Sequence, residues 1–269
     1  MQRPVTLSRT ALALATALLT ACGSSNGPTT LPTPPTDGSA VAGRKFFIKP
    51  GVNATSEMVS AMIQAAPGDL IEFDCGYFEL SNTFQLTDTE DVLVKGCGKD
   101  KTVLSFKNNN APEGVLAVNV RGVTYQDFTV ADTGGNGFEL RGVDNAKLLR
   151  VRAIWSSNGG RESPDPITAE NYKDRLHVPC TDPPTQDPSA PENELGDTTS
   201  PDYTPSPKSG RYGIYPVSSE NVLIDDAESV GASDAGIYVG QTNTAIIKNS
   251  RAAYNVFGFE IENVQGGEY

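Results

Sequence analysis

Gly213-Ile214-Tyr215-Pro216-Val217 and Gly236-Ile237-Tyr238-Val239-Gly240 are two copies of one unit, the second displaced along the chain by a step of 23. The unit recurs as Gly114-Val115-Leu116-Ala117-Val118, Gly137-Phe138-Glu139-Leu140-Arg141 and Gly258-Phe259-Glu260-Ile261-Glu262, so the five glycines follow one another at steps of 23, 76, 23 and 22. The long step is one ordinary step enlarged by an insertion of 53. After each glycine, positions one and three are apolar while two and four vary, which is the alternation of a strand with one inward face. A second strand keeps the same steps, as Val123-Thr124-Tyr125, Ala146-Lys147-Leu148, Val222-Leu223-Ile224 and Ala245-Ile246-Ile247, and a third begins near Phe128, Val151, Ala227 and Ser250. A unit this short buries its apolar side only by stacking on its neighbours. Three strands per turn, recurring at a step of 22 or 23, describe an all-β chain, a single-stranded right-handed parallel β-helix spanning residues 45–269. The rival at this period, the leucine-rich repeat, needs Leu at fixed offsets and an Asn in the strand turn, and Leu here is scattered.

Two further columns support the register. Asp127, Arg150, Asp226 and Asn249 fall at one outward position, and Thr129, Arg152, Glu228 and Arg251 at another, so neighbouring rungs tend to carry opposite charges. Such pairs stabilise a sheet and like charges in register would not, so these residues read as structural. Ahead of the repeats, Thr55 to Ala66 is amphipathic, with Met58, Met62, Ile63 and Ala66 on one stripe, and Pro67-Gly68-Asp69 ends it before a strand at Leu70 to Phe73. A short helix there would cap the open end of the first coil. At the other end, Phe259 to Glu262 supply a first strand and the chain reaches Tyr269 before a second. The stack is therefore expected to be incomplete, continued by further coils or pairing with another molecule through its last rung.

Residues 1–21 read as an export signal. Arg3 and Arg9 flank a charged start, Ala11 to Thr20 is apolar but too short to span a bilayer, and Leu19-Thr20-Ala21-Cys22 follows. That tetrapeptide resembles a bacterial lipobox, which implies cleavage before Cys22 and its acylation; a plain secretory signal cut nearby is the alternative. Gly23 after the cysteine resembles the Gram-negative pattern for outer-membrane sorting. The rest of residues 22–44 is rich in Pro, Thr and Ser, with Leu31 the only large aliphatic residue before Val41, and reads as a flexible tether. Of 21 basic residues, Arg3 and Arg9 leave with the signal; the remaining 19 against 33 acidic residues give −14. Nucleic acid and anionic lipid are poor partners for such a surface. A neutral glycan is indifferent to the charge, whereas an acidic one would need bridging cations.

Cys75 and Cys97 stand one coil apart, and in an exported protein they read as a disulfide or as two buried thiols. Cys180 has no evident partner. With His177 as the single histidine, zinc sites and His-based triads are set aside.

With the cap, Pro67-Gly68-Asp69, the strand Val92 to Lys95, the Gly96-Cys97-Gly98-Lys99-Asp100-Lys101-Thr102-Val103-Leu104 turn and the Gly-Ile-Tyr coils in view, the chain resembles the pectin-lyase-like superfamily. More narrowly, Tyr212 to Val217 and Ala232 to Gln241 resemble bacterial parallel β-helix repeat-containing proteins, often lipoproteins. The superfamily's enzymes include polysaccharide lyases and uronate epimerases, some with Asp-rich calcium sites and an Arg or Lys base. The histidine motif of the alginate epimerases is missing here, and Gly96 to Thr102 lacks the spacing of a phosphate loop, which leaves it a turn between coils.

The insertion, residues 161–210, holds 10 of the 19 prolines and ten acids against four bases, and reads as polar, acidic and coreless. It is expected to leave the stack beside the first-strand face. That face aligns Glu139, Tyr215, Tyr238 and Glu260 in one outward column and Arg141, Val217, Gly240 and Glu262 in the next, with Gly240 leaving room for a ligand. Stacked tyrosines beside acids suit a sugar ring or simply form an aromatic ladder that stabilises the sheet. Glu260 and Glu262 read as a Ca²⁺ pair, an acid/base pair or solvated surface acids; no other cofactor is called for. The expected functions, in order, are a non-catalytic polysaccharide-binding or envelope-scaffold protein, a lyase or epimerase with Arg141 as the one base at hand, and a docking subunit for another envelope protein.

Overall fold

The computed structural model describes residues 43–109, 111–156, 167–176 and 210–269. They form a right-handed parallel β-solenoid of about 8 turns. Three parallel sheets run its length. The first-strand sheet stacks Phe84–Thr87, Val115–Val118, Phe138–Arg141, Ile214–Val217, Ala235–Gly240 and Phe257–Glu262. Within it Val115, Phe138, Ile214, Ile237 and Phe259 are in register, as the glycine alignment requires. The second-strand sheet has eight strands, from Lys45–Ile48 to Gln265–Glu268, and the third-strand sheet six, from Gly76–Glu79 to Arg251–Ala253.

The glycine column exists because the coils approach too closely for a side chain. A Cβ on Gly213 would lie 2.0 Å from Ser229 Oγ and 2.5 Å from the carbonyl oxygen of Gly236 on the next rung, and one on Gly137 would lie 2.6 Å from the Gly213 carbonyl oxygen. The corner after each first strand is made by a left-handed residue, in turn Asp88, Asn119, Gly142, Ser218, Gln241 and Asn263. Asp127, Arg150, Asp226 and Asn249 make the corner before the third strand in the same way. Asp and Asn tolerate this conformation because their short polar side chains bond locally; Arg150 is held there by a 2.6 Å ion pair to Asp127 on the rung below. Inside, Phe73, Phe78, Phe84, Tyr125, Phe138 and Phe128 stack mostly edge to face, with centroids 5.4 to 6.5 Å apart, the arrangement their quadrupoles favour.

The capping helix spans Ala54–Gln64. Its inward stripe is Ala54, Met58 and Ala61, with Met62 and Ala65 packed alongside. Ile63, expected on that stripe, is 80% exposed, because a residue next to Met62 sits about 100° round the helix. Pro67-Gly68-Asp69 gains its reason from Asp69, whose carboxylate accepts hydrogen bonds from the backbone N–H groups of Ala66 and Arg44 and from the Arg44 guanidinium. The Arg44 hydrogen bond leads in holding that carboxyl below its ordinary value. Cys75 and Cys97 are joined by a disulfide with Cα atoms 5.5 Å apart.

Several expectations are corrected. The last coil does form a second strand, Gln265–Glu268, paired with Asn243–Lys248; the left-handed Asn263 turns the chain into it directly after the first strand ends at Glu262. Thr129, Arg152, Glu228 and Arg251 do align on successive rungs, but Arg152 and Glu228 are covered rather than outward. The Gly96–Thr102 turn folds Lys99 and Asp100 over them, giving a covered network in which Lys99 pairs with Asp226 and Glu228 while Arg152 pairs with Glu228 and Asp100. Asp226 therefore looks to Lys99, and Asn249 donates to Asp225 instead. Nor is the described part of the insertion coreless. Ile167, Tyr172 and Leu176 are buried with Tyr77, Val103, Ala131, Ile154 and Val230 on the outer face of the third-strand sheet, and Tyr77 Oη donates to the Ile167 carbonyl at 2.7 Å. Residues 161–166 and 177–209, with His177 and Cys180, and the signal and tether through residue 42 lie outside the described residues.

Candidate functional site

The first-strand sheet places the predicted residues as their spacing requires. Glu139 pairs with Tyr215 and Arg141 with Val217 on adjacent rungs, and Tyr238 pairs with Glu260 and Gly240 with Glu262. Because alternate side chains of a strand share a face, one outward column runs Glu139, Tyr215, Tyr238, Glu260. To it the structure adds Tyr212, which just precedes Gly213 and whose carbonyl accepts from the Gly137 N–H on the adjacent rung. Its ring centroid is 4.7 Å from that of Tyr215 and 5.1 Å from that of Tyr238, and Tyr215 and Tyr238 are 5.1 Å apart. At these separations the three rings pack on one another as a platform, with no cage between them. Tyr212 follows the insertion and belongs to the rung itself, whereas the described part of the insertion, residues 167–176, lies on the third-strand sheet.

The space above Gly240 is filled. A Cβ there would lie 2.5 Å from Tyr238 Cε1, so the Tyr238 ring folds across the glycine and its hydroxyl donates to Glu262 Oε2 at 2.7 Å. Glycine serves here to seat the platform, not to admit a ligand to the sheet. Burial, and then the bond to Glu262, push the Tyr238 phenol up. Burial also raises Glu260, and the neighbouring Asp234 and Glu262 carboxylates raise it further.

Two ion pairs flank the rings. Arg211 lies over Tyr212, 5.0 Å from its centroid, and bonds Asp234 at 3.2 Å. At the other end Glu139 is only 2% exposed; it accepts from Arg141 and, at 2.8 Å, from the Asn136 amide. The hydrogen bond that Arg141 donates to Glu139 leads in raising Arg141 above its ordinary value, so the one base the sequence offers is held as the cation. Glu113 lies beside this pair, its carboxyl raised first by burial and then by Glu139.

Glu260 and Glu262 form no cation-binding set with a third ligand: among the described residues no group of three or more His, Cys, Asp or Glu could hold a metal. A groove of about 400 Å³ on the outer face of the second-strand sheet, lined by Leu93, Thr124, Gln126 and Lys147 among others, has no aromatic ring. Comparison with protein-family models and with curated proteins finds no match.

Proposed function

We propose that the protein is a non-catalytic carbohydrate-binding protein of the bacterial cell envelope, anchored through an acylated Cys22 in the outer membrane and held off the surface by the tether of residues 22–44. In this reading it belongs with the parallel β-helix repeat-containing lipoproteins of the pectin-lyase-like superfamily. The observation that carries the binding role is the packed Tyr212, Tyr215 and Tyr238 platform with carboxylates at its rim. A pyranose lays its C–H face on such rings while its hydroxyls meet acceptors at the edge. A solenoid suits an extended ligand, since its outward columns run along the axis at the rung spacing of about 4.8 Å. Catalysis is disfavoured because Arg141 is neutralised by Glu139.

The test is retention on insoluble polysaccharides, with titration of soluble oligosaccharides followed by tyrosine fluorescence. The Tyr215→Ala/Tyr238→Ala variant should lose retention at least tenfold with its circular dichroism unchanged. Undiminished retention, or loss of the fold, would mean that the rings are a structural ladder. Unsaturated product released from any polysaccharide would replace binding with lyase activity.

A further inference from the structure

The charges around the platform do not cancel, and their remainder has a chemical meaning. Arg141 is taken up by Glu139 and Arg211 by Asp234. Glu260 and Glu262 form no ion pair among the described residues, and they stand two residues apart on one strand, so both side chains leave the sheet on the same face. Glu262 is tied to the platform by the Tyr238 hydroxyl, while Glu260 is the direct rung neighbour of Tyr238. Glu113 adds a further acid beyond Glu139, at the far end of the column. The rungs run Glu139, Tyr215, Tyr238, Glu260, so Glu260 and Glu262 stand at one end of the aromatic rings and the Arg141–Glu139 ion pair at the other, over three rung spacings, about 14 Å. That length accommodates an oligosaccharide.

Resting on the carbohydrate-binding reading above, we propose that the sugar preferred at this platform carries a protonated amine, as in a de-N-acetylated amino-sugar oligomer. An ammonium group is a compact charge with three donors and no acceptor. It therefore satisfies two adjacent carboxylates that a neutral hydroxyl leaves uncompensated. The tyrosine faces add a cation–π attraction as it enters, and the net charge of −14 on the exported chain concentrates a polycation at the surface. A uronate would instead meet like charge at the Glu260 and Glu262 end of the column.

Isothermal titration of the full chain with a glucosamine hexamer and with its N-acetylated counterpart, at a pH where the amines are protonated and the carboxylates ionised, tests this. The amine form should bind at least tenfold tighter. The advantage should collapse on raising the salt, and in Glu260→Gln/Glu262→Gln the two hexamers should bind within about twofold of each other. Equal affinity for the two hexamers overturns the amine preference and leaves carbohydrate binding standing. An advantage that survives the double Gln variant also overturns it, because the attraction then comes from the surface charge at large. Failure of both hexamers, and of every neutral glycan, removes the underlying reading as well.

Discussion

Glu228→Gln should weaken the fold through the network beneath the Gly96–Thr102 turn. Arg152 is buried, its side chain 4% exposed, and bonds Glu228 at 2.9 Å and Asp100 at 2.8 Å; Lys99 bonds Glu228 at 2.9 Å and Asp226 at 2.8 Å. Glu228 thus serves two cations, and glutamine keeps its shape while deleting the charge. Removing one partner of a fully buried pair costs about 3 to 5 kcal/mol. Here Arg152 keeps Asp100, but that carboxylate is 68% exposed and contributes little, while Lys99 keeps Asp226. The expected loss is about 2 to 3 kcal/mol, or roughly 5 to 10 °C in Tm for a domain of this size.

The pH dependence isolates the cause. Burial pushes the Glu228 carboxyl up, but the Arg152 hydrogen bond, followed by Lys99, outweighs it and holds the group below its ordinary value of 4.5. A carboxylate lowered in the folded state stabilises the fold above its unfolded pKa, and that contribution fades as pH falls through the folded value. The Tm gap between parent and Glu228→Gln, followed by differential scanning calorimetry, should be widest near neutrality and narrow as pH drops below 4.5. A gap under about 1 °C at neutral pH, too small for a buried ion pair, or a gap that does not narrow in acid, would refute the assignment of a stabilising charge network.

Gly213→Ala should cost several kcal/mol, on the order of a severe core clash, since its Cβ would overlap Ser229 and the Gly236 carbonyl; Gly258→Ala, whose nearest neighbour would be Ala252 Cβ at 3.9 Å, should be nearly neutral in thermal melts. Equal losses would break the account of the glycine column. Tyr125→Phe should stabilise the protein by about 1 kcal/mol, because the hydroxyl is buried without a partner in the aromatic stack; a lower Tm would reveal a bond to a buried water. Cys22→Ser should move the exported protein from the membrane to the soluble fraction and abolish acyl labelling, and unchanged labelling would defeat the lipid anchor.

What the sequence made legible was whatever recurs in every rung. The glycines and the inward apolar positions answer to one geometric demand repeated once per coil, so several imperfect copies together define it, whereas Asp127, Arg150, Asp226 and Asn249, read as a charge column, prove to be left-handed corners. In the early coils the second strands at Leu70 to Phe73 and Val92 to Lys95 were legible, but the first and third strands escaped because their steps vary: Phe84 to Val115 is a step of 31 and Val103 to Thr129 one of 26, the surplus lying in turns that carry no register. The covering of Arg152 escaped for a different reason. Lys99 and Asp226 are 127 residues apart, and nothing in a turn's composition says which column it folds over. Tyr212 was within reach. It precedes its glycine as Glu113, Asn136, Ala235 and Phe257 precede theirs, and Ala235 pairs with Phe257 in the structure. Reading that position as a column would have set Glu113, Asn136 and Tyr212 beside Glu139 and Tyr215, where Asn136 donates to Glu139 and Tyr212 completes the platform. The strands supplied the ladder, but the position just before each glycine supplied the neighbours that determine what the ladder can bind.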